Sequence, residues 1–196
     1  MAYILKVVGS ICFSLTGWTF VGRFPDRQCV ITIAPHTSNC DFLYFLALGM
    51  KHGKVGKILW LGKHSIFFWP LGILLKKLGG LPVNRKKNNN LIQFIASHMK
   101  IHKDLCYAIA PEGTRSYSEQ WMHGFYRIAQ RANVPLCLGF LDYKHKRLGF
   151  GPYVEVTGDL EKDWQFIRDF YQAEWAKFPE NFSTMEIKTD TKNAPP

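Results

Sequence analysis

The segment Pro35-His36-Thr37-Ser38-Asn39-Cys40-Asp41 pairs a base with an acid directly after a β-branched run. Four residues separate His36 from Asp41, so a tight strand-to-helix turn can bring their side chains together. A carboxylate that accepts the proton of one ring nitrogen fixes the imidazole tautomer, and the other nitrogen is left as a base. Such a pair suits removal of a proton from an alcohol near neutral pH. Taken alone, the spacing has as its default reading a turn in which His36 is structural and Asp41 caps the helix that follows.

Two further polar turns carry groups that bind anions. Ala110-Pro111-Glu112-Gly113-Thr114-Arg115-Ser116 also follows a buried run. Gly113 permits a close turn, Thr114 and main-chain N–H groups can meet phosphate oxygens, and Arg115 offers a planar fork. The plainer reading is a surface turn with an Arg–Glu pair. Residues 79–87, GGLPVNRKK, deliver Arg85 and two lysines in the same manner, or else form a solvated charge run.

These turns need a scaffold, and the pattern of apolar residues specifies one. Strands are expected at residues 29–34, 57–62, 81–83, 105–110 and 135–140, with an edge strand at 153–156. Helical spacing appears over 41–51, 68–78, 88–102, 123–132 and 160–177. Alternation of this kind implies a single α/β domain, a mostly parallel sheet flanked by helices. In such sheets ligands gather at the carboxyl ends of the strands, which is where the polar turns fall. The chain divides into an N-terminal membrane-associating helix (1–22), the main domain (23–181) and a polar tail (182–196).

Length and charge narrow the partner. The 196 residues fit one domain, and 47% hydrophobic content supports a sizeable core. The net charge is +10, and the excess is concentrated: residues 42–103 hold eleven Lys or Arg and no Asp or Glu. An anionic partner is expected. The lysines are threaded through large apolar side chains in ILWLGKHSIFFWPLGILLKK, residues 58–77. That mixture suits a surface settling among lipid headgroups, with Trp60, Phe67, Phe68, Trp69, Lys76 and Lys77 in contact, more than it suits nucleic acid. The alternative is a core helix with solvated lysines. Residues 1–21 carry Lys6 as their only charge, and glycines and hydroxyl residues dilute the run. An interfacial helix, a span, or a helix covering the domain's own core are all open, and no cleavage site follows. Five cysteines without a CxxC pair indicate neither a disulfide framework nor a zinc ribbon.

Four blocks taken in order, HTSNCD (36–41), GGLPVNR (79–85), PEGTRS (111–116) and VPLCLGF (134–140), resemble the lysophospholipid acyltransferase family, of the 1-acylglycerol-3-phosphate acyltransferase type, in its shorter bacterial form. The blocks span residues 36–140. The chain departs from the usual pattern at Pro35, where relatives often carry Asn, at Ala110 (often Phe), and at Met122 and His123 (usually a lysine nearby). The resemblance implies a glycerolipid acyltransferase-like fold with His36 as general base and Asp41 as its orienting partner. It puts Glu112, Gly113, Thr114 and Arg115 in the acceptor site, with Arg85 and Arg115 on the phosphate, and Pro135 on the acyl-donor side. It also implies acyl-CoA or acyl carrier protein as donor, a lysophospholipid acceptor, and neither metal nor cofactor. The expected location is the cytoplasmic face of a bacterial inner membrane, peripheral or monotopic, against an anionic membrane surface and without nucleic acid.

Other readings compete with this one. The acceptor can be another lipid, such as a lyso-aminolipid, or the chain can be a basic membrane-binding module without catalysis. A hydrolase using Ser38 or Cys40 lacks a G-x-S-x-G elbow. A metal site from His36, Cys40 and Asp41 lacks a fourth ligand.

Overall fold

Short apolar runs rich in β-branched residues alternate here with segments of helical period, and the chain folds accordingly. A computed structural model describes residues 2–83 and 90–187. The elements are α1 (Ala2–Thr16), β1 (Thr19–Val21), β2 (Val30–Ala34), α2 (Asn39–Lys51), β3 (Ile58–Lys63), α3 (Leu71–Lys77), β4 (Gly80–Val83), α4 (Leu91–Ile101) and β5 (Cys106–Ile109). They continue with β6 (Gln120–Trp121), α5 (Gly124–Ala132), β7 (Leu136–Asp142), β8 (Arg147–Val154), α6 (Leu160–Phe170) and β9 (Glu186–Ile187).

The main sheet has the order β1-β8-β7-β2-β5-β3-β4. Every neighbouring pair is parallel except β7 and β8, which form a hairpin. β2 lies at the centre and is an uncharged run, as a strand covered on both faces must be. Its successive side chains serve opposite faces. Val30 and Ala34 join a core with Ile95 of α4, Phe125 of α5 and Ile167 of α6, while Ile31 joins a second core with Phe13 of α1 and Leu48 of α2. This is the α/β domain with a mostly parallel sheet that the sequence predicts.

Several boundaries differ from the sequence-based expectation. Helix α3 starts at Leu71, because a residue preceding proline is disfavoured in helical conformation and Trp69-Pro70 stands in the way. Helix α6 stops at Phe170. Tyr171 turns extended there and sends its hydroxyl into the core, where it meets Thr32 Oγ1 at 2.8 Å and donates towards the Gly139 carbonyl at 3.1 Å. Strand β8 begins at Arg147, earlier than the expected edge strand at 153–156, and β1 pairs along its first three residues, Arg147–Gly149. Residues 183–185, expected in the polar tail, are built in: Ser183 and Met185 are buried, and the Trp164 indole N–H donates to the Met185 carbonyl at 2.8 Å.

Helix α1 presents two faces. Phe13 is buried against α2, and Gly9 permits a backbone-to-backbone approach, since a Cβ there would meet Lys51 N at 2.4 Å and Ala47 O at 2.6 Å. Its other face leaves Tyr3, Ile4, Val7, Ile11 and Leu15 exposed. Among the described residues, no helix is long and apolar enough to cross a membrane.

Candidate active site

The turn that carries His36 and Asp41 is assembled locally. β2 ends at Ala34, and Ser38 opens α2 as its N-cap, its hydroxyl accepting the Cys40 N–H at 3.1 Å. Asp41, at the third helical position, completes a capping box by accepting the Ser38 N–H on Oδ2 at 2.9 Å. The same oxygen lies 3.1 Å from His36 Nδ1. Capping the helix and orienting the histidine are therefore one role of one carboxylate. A proton on Nδ1 faces this carboxylate, and Nε2 is then the basic nitrogen. Asp41 is fully buried while the His36 side chain keeps 18% of its surface. Ser38 is consumed as a cap, which argues against its use as a nucleophile.

The second turn meets the first through Glu112. Its Oε1 accepts the His36 main-chain N–H at 3.1 Å, and Oε2 has no partner among the described residues. Burial pushes the Glu112 carboxyl up from 4.5 to about 7; the His36 N–H opposes this and the charge of Asp41 adds to it. Gly113 takes φ +68°, a conformation natural to glycine, and turns the chain so that Thr114 and Arg115 stand exposed. His36, Asp41, Gly113, Thr114 and Arg115 all line one groove of about 1150 Å³. Its other walls are largely apolar, with Ile31, Phe42, Phe45, Leu46, Trp60 and Phe150 among them.

Not every expected site residue joins them. Arg85 lies outside the described residues. Pro135 lies apart from these residues: its carbonyl accepts the Val30 N–H, so it sits where β2 begins, whereas His36 follows the other end of β2. At about 3.3 Å per residue, the length of a strand separates them. Trp60 and Phe67 also turn inward instead of joining an outward patch. The Trp60 indole donates to the Leu78 carbonyl at 3.0 Å, and its ring packs against Phe42 and Phe67. Phe68 and Trp69 are 61% and 81% exposed, with Lys76 and Lys77 also outside.

Sequence reading missed two contributions from distant parts of the chain. Tyr143, just after β7, donates its O–H to Asp41 Oδ1 at 2.6 Å. Burial, reinforced by that carboxylate, raises the pKa of the phenol far above its ordinary value. The segment after α6 straps the turn of residues 36–41: the Phe178 N–H donates to Thr37 Oγ1 at 3.3 Å, Lys177 Nζ to Cys40 Sγ at 3.3 Å, and the Tyr143 N–H to the Trp175 carbonyl at 2.8 Å. Nothing in the local pattern around Tyr143 or Lys177 signals these contacts. Among the described residues, no group of three or more His, Cys, Asp or Glu side chains is placed to hold a metal ion.

Comparison with known proteins bears on what this arrangement is for. A family model described as Acyltransferase matches residues 18–137. A "Probable 1-acyl-sn-glycerol-3-phosphate acyltransferase 5" of Arabidopsis thaliana is 29% identical over 118 residues, 58% of this chain and 31% of the plant protein. The chain thus spans about a third of the length of that relative. Among solved structures, the 1-acyl-sn-glycerophosphate (LPA) acyltransferase PlsC from Thermotoga maritima is similar with a TM-score of 0.59, at 16% identity over 86% of this chain and 75% of that one. At that identity the likeness concerns the fold.

Proposed function

The chain belongs to the acyltransferase family, and we propose that it moves a fatty acyl group from an acyl-CoA or acyl carrier protein thioester to the free hydroxyl of a lysophospholipid, with 1-acylglycerol-3-phosphate the foremost acceptor. The observation that carries this reading is the contact of 3.1 Å between His36 Nδ1 and Asp41 Oδ2 in the wall of a largely apolar groove. His36 Nε2 takes the hydroxyl proton as the acceptor oxygen attacks the thioester carbonyl carbon. Asp41 stabilises the imidazolium that forms. The tetrahedral intermediate then collapses, the carbon–sulfur bond breaks, and the imidazolium returns its proton to the departing thiolate. No acyl-enzyme is needed, because the thioester is already activated and positioning does most of the work. Arg115 and Thr114, on the same groove, supply donors for the acceptor phosphate, with Arg85 as a second cation. The apolar walls suit an acyl chain.

Membrane association follows from the same surface chemistry. The exposed face of α1, together with Phe68, Trp69, Ile73 and Leu74 beside Lys76 and Lys77, suits the headgroup zone of an anionic membrane. We read the protein as peripheral or monotopic, on the cytoplasmic face.

The test is an assay of purified protein with labelled acyl donor and lysophosphatidic acid in mixed micelles. His36→Ala is expected to lower transfer by about 100-fold or more while the circular dichroism spectrum is unchanged. Full activity in that variant would refute the mechanism. Anion binding unaffected by His36→Ala, with no transfer by the unaltered protein, would instead mark a binding module.

A further inference from the structure

The catalytic acid has a third partner that no block of the family resemblance contains. Asp41 receives the Ser38 N–H and faces His36 Nδ1 through Oδ2, and its other oxygen accepts the Tyr143 hydroxyl at 2.6 Å. Deleting that hydroxyl would leave Oδ1 of a carboxylate that is 1% exposed without this donor. The Tyr143 ring is itself held: its edge meets Trp18 with centroids 4.9 Å apart and it lies 6.0 Å from Tyr44. Its main-chain N–H is fixed on the Trp175 carbonyl at 2.8 Å. From this geometry we propose that Tyr143 is a positioning residue for the transfer reaction, holding Asp41 at the angle that serves His36 and drawing off part of the charge that would otherwise bear on the imidazole. This rests on the acyl transfer proposed above.

The phenol suits such a role because it does not ionise in the working range. Its shift is upward, through burial first and the neighbouring Asp41 second, so it remains a donor at every pH where a histidine base functions. The other titratable or charged groups around the pair are Glu112 from the turn after β5, Cys40 and Tyr44 on α2, and Lys177. The Lys177 ammonium stands 5.9 Å from the Tyr143 ring centroid. Replacing the tyrosine by phenylalanine leaves all of these in place, so a comparison of the two proteins isolates the hydroxyl.

Removing the hydroxyl has two consequences of known sign. Asp41 loses one of its restraints, and kcat falls by about tenfold, the factor that a hydrogen bond to a charged group is worth when one end is deleted. The carboxylate charge that remains is less dispersed and bears more strongly on the imidazole. The acidic limb of the pH profile of kcat/KM then moves upward.

The experiment measures kcat and KM for both substrates, the pH profile of kcat/KM and the melting temperature for the unaltered protein, Tyr143→Phe and His36→Ala. The expected result for Tyr143→Phe is a fall of about tenfold in kcat, KM within twofold for each substrate, and an acidic limb displaced to higher pH. A kcat within twofold of the unaltered protein, or a lower kcat with an unmoved pH profile, overturns the assignment. A general loss of packing would show as a lower melting temperature without that displacement, and this too counts against it. If His36→Ala is as active as the unaltered protein, the acyl-transfer reading fails first. If His36→Ala is inactive while Tyr143→Phe is unchanged, only the role of Tyr143 fails.

Discussion

Glu112→Gln should remove the part of the pH dependence of stability that arises from one buried carboxyl. The carboxyl is 4% exposed, one of its oxygens has no partner among the described residues, and burial raises it from 4.5 to about 7. The folded chain therefore holds this proton more tightly than the unfolded chain does. Stability from this source is full below about 4.5 and is lost as pH rises through about 7. At about 1.4 kcal/mol per pH unit, the loss between pH 5 and pH 8 comes to about 2–3 kcal/mol. Glutamine carries no titrating proton, and its carbonyl oxygen can still accept the His36 N–H. Whatever its amide N–H group meets at the Oε2 position, that contribution does not vary with pH. The assay is urea denaturation at pH 5, 6, 7 and 8 in one detergent, followed by tryptophan fluorescence, for both proteins. The unaltered protein should lose about 2–3 kcal/mol more than the variant across that range. Equal slopes would refute the reasoning, since the carboxyl would then titrate alike in the folded and unfolded chains.

Two other variants probe the groove and the α1 contact. Arg115→Ala should raise KM for lysophosphatidic acid by about tenfold, leaving KM for the acyl donor unchanged, as loss of a charge-assisted contact to phosphate requires; initial-rate kinetics with each substrate varied in turn decides this. Gly9→Ala places a Cβ against the α2 backbone, at 2.4 Å from Lys51 N and 2.6 Å from Ala47 O. The helices must separate, and denaturation should show a loss of about 1–3 kcal/mol.

The parts of the site legible in the sequence are those whose causes are local. The uncharged run that ends at Ala34, the serine that caps α2 and the acid three residues later lie within one turn, and residue chemistry alone brings His36 to Asp41. Glu112, Thr114 and Arg115 follow β5 in the same way. What remained hidden depends on contacts between distant segments. Tyr143 reaches Asp41 across 102 positions, which no periodicity reports. Helix α6 ends where it does because the Tyr171 hydroxyl is needed near Thr32 and Gly139, partners contributed by other strands. Pro135 belongs to a block grouped with the others in sequence, yet it lies at the opposite end of β2 from His36. Trp60 misled because an aromatic among lysines reads as a surface residue, yet its indole found a carbonyl acceptor inside.

The pairing of β1 with β8 has a further consequence, for the order in which the fold can form. Thr19 pairs with Arg147, and β8 is itself held by β7. During synthesis residues 19–21 emerge long before their neighbouring strand exists, and closing so long a loop delays folding. The oily helix just upstream meanwhile lacks Leu141, Leu148 and Phe150, which share a core with its Phe13. A nearby bilayer would offer shelter for that interval, and refolding from denaturant should accordingly be faster and cleaner when lipid is supplied from the start.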